Sequence, residues 1–193
     1  FSQSEFGVAM GYQAGFTAQG PNAVAIGKNA GRNYQATGSV AIGIEAGQDT
    51  QGLESVAIGI SSGKVNQGKF AVAIGRVAGQ NEQGNYSVAI GNGCAFTGQG
   101  INSVSLGRGS GFQNQGDASV AIGYCSGRNS QGLYAVAIGR YAGENTQAAR
   151  GVAIGEQCGR YSQGAISTAI GRFAGWKTQG DSCVAIGGDA GRD

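Results

Sequence analysis

Apolar and polar positions follow one pattern along the chain, repeated every sixteen residues. Numbering the repeat from its valine, slot 1 falls at Val8, Val24, Val40, Val56, Val72, Val88, Val104, Val120, Val136, Val152, Thr168 and Val184, with no insertion or deletion between copies. Slot 2 is Ala except at Ser105, and slot 3 is Ile except at Met10 and Leu106. Slot 4 is always Gly, slot 8 is Gly except at Ala95, and slot 13 is mostly Gly. The alternation Val-Ala-Ile puts Val and Ile on one side and Ala on the other, which predicts a short strand. Glycine in slots 4, 8 and 13 predicts corners, where φ is positive or backbones approach closely.

A fixed period decides architecture before any local reading does. Sixteen residues broken by three Gly columns are too short for a helix pair. One strand per turn, stacked in register, predicts an all-β parallel β-solenoid, or β-roll, of twelve sixteen-residue turns. At about 4.8 Å per turn, the rod would be roughly 55–60 Å long. Residues 1–193 are expected to form a single repeat domain. Neither end shows a capping change, so the sequence reads as a segment of a longer fibre or as a unit that stacks into a filament.

If Val and Ile face inward, Ala faces outward. Ala25, Ala41, Ala57, Ala73, Ala89, Ala121, Ala137, Ala153, Ala169 and Ala185 then form a smooth stripe on which another chain is expected to pack. Small residues that merely keep the sheet flat would explain the same column. Slot 12 is Gln throughout: Gln3, Gln19, Gln35, Gln51, Gln67, Gln83, Gln99, Gln115, Gln131, Gln147, Gln163 and Gln179. It is read as an interior ladder in which each amide bonds the ones above and below. A surface row of ligand-binding amides is the alternative.

The variable slots check the register, because residues sixteen apart should be neighbours. Arg128, Glu144 and Arg160 alternate in sign in slot 9, and Arg140, Glu156 and Arg172 in slot 5. Phe96 adjoins Phe112, Phe70 adjoins Tyr86, and Ile44 adjoins Ile60. Trp176 falls between Arg160 and Arg192, in reach of a cation–π contact.

The segments "NSVSLG", "YSVAIG", "GSVAIG" and "ASVAIG" resemble the head repeats of trimeric autotransporter adhesins, the YadA-like head family. The resemblance covers slots 16 to 4 of all twelve copies. It implies a left-handed parallel β-roll, a homotrimer, and a rod that binds host matrix. That family's repeat is typically shorter than sixteen residues, and the "AG…QG" half is more similar to repeats of phage and large-virus fibre proteins.

Composition narrows the function. Charged residues are 12%, hydrophobic ones 40%, and 39 residues are Gly. Without a three-residue period this is not collagen, and regularly placed Val and Ile argue against disorder. No apolar run approaches the roughly 20 residues of a membrane span. No basic, apolar leader is seen, so any targeting segment is expected outside this chain or already removed. A net charge of +2 gives no electrostatic case for nucleic acid. With no His, the usual triads and most zinc sites are excluded. "GRGSGF" at 107–112 is repeat frame rather than a dinucleotide loop. Glu45, Asp49 and Glu54 read as solvated rather than as a cation site.

No catalytic, cofactor-binding or metal residue is therefore expected. Cys94, Cys125, Cys158 and Cys183 read as free thiols, because Cys94 and Cys158 lie four turns apart. Bonds between symmetry-related chains stay open. Asn85 heads a lone glycosylation sequon, "NYS".

The leading expectation is a non-catalytic extracellular or virion-surface rod that associates with itself and meets a receptor or glycan through its variable columns. An ice-binding solenoid is the alternative, although no Thr ladder is present. A carbohydrate-binding rod using Tyr12, Phe16, Tyr124, Tyr141, Phe173 and Trp176 ranks third.

Overall fold

The computed structural model describes residues 5–193. Gln3 lies outside the described residues. The chain is an all-β parallel solenoid that advances one turn every sixteen residues. A twelve-stranded sheet runs from Val8–Met10 to Val184–Ile186, with partners sixteen apart throughout, such as Val24↔Val40 and Ile26↔Ile42. A ten-stranded sheet that the pattern did not announce runs from Thr17–Gln19 to Tyr161–Gln163. Ten of the turns thus carry two strands, not one. In the second sheet only slots 10 and 12 pair, as Asn81↔Thr97 and Gln83↔Gln99 do. Slot 11 bulges out in left-handed backbone, as at Glu82 (φ 56°) and Asn114 (φ 52°).

The direction of the core strand is the reverse of the expectation. Ala25, Ala41, Ala57, Ala73, Ala89, Ala121, Ala137, Ala153 and Ala169 are fully buried, and Ala185 is 7% exposed. The Ala column is the core and not an outer stripe. Val and Ile stand on the outside of the same strands, half-buried or exposed. Among the described residues no Val, Ile, Leu, Met or aromatic side chain is buried.

The reason is width. Slots 4, 6, 8, 11 and 15 take positive φ in nearly every turn, so the coil bends sharply and its two sheets close on each other. A Cβ at Gly47 would stand 2.7 Å from Gln51 Oε1 and 3.3 Å from Ala41 Cβ. A lumen that already holds a Gln amide leaves room for a methyl opposite it and nothing larger.

The glycine columns divide the work. Slot 4 adopts φ near +125°, and slot 8 adopts φ near +52°. Slot 13 lies outside the left-handed region but backs onto the next turn: a Cβ at Gly68 would stand 2.6 Å from Asn85 N. Slots 6, 11 and 15 were missed as corners because their residues vary. Their signal is a scatter of Asn and Gly, as at Asn22, Asn29, Asn102 and Gly109.

Left-handed backbone costs an L-residue about 1–2 kcal/mol, and β-branched residues are least suited to it. Ile166 sits there at φ 56° with its side chain exposed. Ile166→Asn is therefore expected to stabilise the fold by about 1 kcal/mol, read as a higher denaturant midpoint with an unchanged slope.

Candidate functional surface

Gln19, Gln35, Gln51, Gln67, Gln83, Gln99, Gln115, Gln131, Gln147, Gln163 and Gln179 are all buried. Most of their amide bonding runs across the coil rather than up the stack. Nε2 of Gln51 donates to the Val40 carbonyl at 2.8 Å and to the Ser55 carbonyl at 3.4 Å, and the other ten repeat this pair. Each Gln thereby pins the second sheet to the first. Asn would be too short for this reach, and Glu would lack the donor. Amide-to-amide bonds occur at four steps: Gln67 to Gln83, Gln131 to Gln147, Gln147 to Gln163, and Gln163 to Gln179. Several Oε1 atoms, including those of Gln35, Gln51 and Gln99, have no partner. Ser105, the exception in the Ala column, supplies one by donating to Gln115 Oε1 at 2.7 Å.

Small slots 7 and 16 satisfy themselves. Ser62 and Ser110 donate to the slot 4 carbonyl three residues back, and Cys94 and Cys158 do the same at 3.2 and 3.3 Å. All four cysteines are free, and only Cys183 is exposed. Burial pushes the Cys94 and Cys158 thiols up to about 12. Cys183 is expected to react with an aromatic disulfide reagent within minutes at pH 8, whereas Cys94 and Cys158 react only at the unfolding rate.

The same shift has a stability consequence. An unfolded thiol ionises near 9.0, so above that pH the unfolded chain loses protons that the folded chain keeps. The contribution is intact below pH 9 and falls as pH rises toward 12. Replacing both by Ala, the usual occupant of slot 7, is expected to flatten that part of the pH–stability curve.

Charged and aromatic side chains gather at the corner made by slots 5, 6 and 9. Arg160 Nε meets Glu144 at 2.6 Å, and Arg140 and Arg172 flank Glu156 at 3.5 and 3.8 Å. Phe96 stacks on Phe112, and on another edge Phe70 stacks on Tyr86, with centroids 5.0 and 5.1 Å apart. Trp176 takes Arg192 at 5.6 Å, but Arg160 turns instead to Tyr141 and Tyr161, at 4.8 and 5.0 Å. The Glu144 carboxylate draws it there.

Tyr141, Tyr161, Phe173 and Trp176 thus form an arginine-stacked ridge in the C-terminal half, while Tyr12 lies exposed and apart from it. Of the acidic residues considered for a cation, Glu45 pairs with Lys64 at 2.9 Å, and that hydrogen bond lowers its pKa. Asp49 instead accepts from Asn33 and Gln48. Asn85 accepts the Lys69 backbone N–H, and Ser87 of its sequon is buried.

These features define a class: a repeat rod with a methyl-and-amide core, an aliphatic sheet face and one decorated corner. The family model for the YadA head domain repeat matches residues 5–30, in two copies. The chain is similar to that family there, and the same sixteen-residue frame continues through the rest of its length. No curated protein matches the chain.

Proposed function

We propose that this chain is a non-catalytic, adhesin-like structural rod of a cell or virion surface, formed by residues 1–193 as one solenoid and assembled as a homotrimer through its Val/Ile face. The observation behind this reading is the outward aliphatic column. No charged residue occupies slots 1 to 3 of any copy. The twelve-stranded sheet therefore carries two parallel rows of side chains, branched everywhere but at Met10, that stand partly in water. A methyl core removes little apolar surface from water, and each Å² that a second copy covers adds about 25 cal/mol. The face repeats every sixteen residues, so copies can register along the rod. Similarity to YadA head repeats supports three of them. The oligomer contact that the sequence pattern puts on Ala thus passes to Val and Ile, on the opposite side of the same strand.

Light scattering is the test. A mass three times the 19.2 kDa of one chain is expected, and Ile58→Lys, Ile74→Lys and Ile122→Lys together should give a monomer with an unchanged β spectrum. A wild-type monomer would sink the trimer and return attention to ice binding, which a thermal hysteresis assay would then decide.

A further inference from the structure

We propose that a notch in the corner of the rod binds an acidic saccharide, a pyranose bearing a carboxylate. This goes beyond the structural role and does not require the trimer. The notch exists because the repeat lapses. Slot 6 carries a side chain in every copy except two consecutive ones, Gly93 and Gly109. Their missing side chains leave a hollow of about 210 Å³ on the corner, away from the Val/Ile face.

Phe112 and Tyr124 line this hollow, each with a guanidinium over its ring: Arg128 at 5.4 Å from Phe112, and Arg108 at 5.7 Å from Tyr124. Cys125 lies over Gly109 and closes the floor.

The charge state of the two arginines points to a ligand. Further along the same columns Arg140, Arg160, Arg172 and Arg192 each engage a carboxylate. Arg108 and Arg128 engage none among the described residues, and no acidic residue lines the hollow. Glu144, one turn beyond Arg128, gives its carboxylate to Arg160. Neither guanidinium over the hollow thus has an ion-pair partner among the described residues, and both suit a carboxylate, which a guanidinium grips through two parallel hydrogen bonds. Phe96 and Arg128 cover the two faces of Phe112, and Arg108 and Tyr141 pack on Tyr124, so the rings offer their apolar edges to the C–H groups of a sugar ring. The volume lies below the roughly 300 Å³ of the smallest drug-sized pockets, so one ring fits and a longer chain must run out along the corner.

Amide NMR shifts of the full chain, followed on titration at low salt, test this. Methyl glucuronide should move the Gly93 and Gly109 signals saturably, with Kd on the order of 1 mM, and methyl glucoside should bind at least about tenfold more weakly. Gly93→Asn fills the hollow with one of the few side chains that left-handed backbone tolerates. Asn29 already holds this column at φ 57°, and a Cβ at Gly93 would meet only the Phe112 ring, at 3.8 Å. That variant, and Arg108→Gln with Arg128→Gln, should each weaken glucuronide about tenfold or more. Three results would overturn the proposal: no saturable shift, glucuronide binding untouched by Gly93→Asn, or inorganic sulfate binding as tightly as the glucuronide. The last would mean that the site reads charge alone.

Discussion

Ala73→Leu should destabilise the rod by about 3 kcal/mol or more, although it adds an apolar side chain to an apolar core. Ala73 is fully buried, with Ala57 and Ala89 in register on either side. Its methyl lies 3.3 Å from where a Cβ at Gly79 would stand, beside the Gln83 amide. Three extra carbons have nowhere to go unless Gln83 leaves. Its Nε2 would then lose the Val72 carbonyl at 2.8 Å, the bond that clamps the two sheets. An unsatisfied buried amide adds about 1–3 kcal/mol to the strain. Ile74→Ser, one residue on, should leave the fold of the single chain nearly unchanged, because Ile74 faces outward. Equilibrium denaturation of the two variants checks the orientation directly. A destabilised Ile74→Ser beside a tolerated Ala73→Leu would mean that the strand is inverted.

Gly75→Ala should be comparably severe for a different reason. At φ +125° the backbone is in a region that glycine alone occupies readily. A Cβ would also stand 2.5 Å from the Gly91 carbonyl oxygen of the next turn. Backbone strain alone costs of order 1–3 kcal/mol, and the clash is with main chain, which cannot rotate away. Because each turn touches only its neighbours, the damage should concentrate at the junction of these two turns. Hydrogen exchange should show lost protection around residues 75 and 91 and a lowered unfolding midpoint overall. Gly188→Ala is the matched control, since a Cβ there meets nothing within 4 Å. Equal effects of the two substitutions would refute the role given to slot 4.

Pairs straight up the stack were legible in advance: Glu144 with Arg160, Phe96 with Phe112, and Phe70 with Tyr86. They follow from register alone, since a parallel turn places residue i beside i+16. Diagonal contacts were not legible. Arg160 over Tyr141 and Trp176 against Tyr161 depend on rotamers, which a carboxylate or a neighbouring ring selects. The notch was visible only as two glycines in a column that otherwise holds side chains. It became a site once the fold set Arg108 and Arg128 over its walls.

The sequence by itself determined the sixteen-residue turn, the parallel register, the strand at Val-Ala-Ile and the glycine corners of slots 4 and 8. Each follows from a strict period together with the conformational freedom of glycine. Only the tertiary structure decided which side of the strand is the inside. Alternation separates Ala from Val and Ile without saying which is buried, and hydrophobicity alone favours the wrong answer. Left-handed corners narrow the coil until the Gln amide and a methyl fill it. The branched side chains are left on the outer face of the rod.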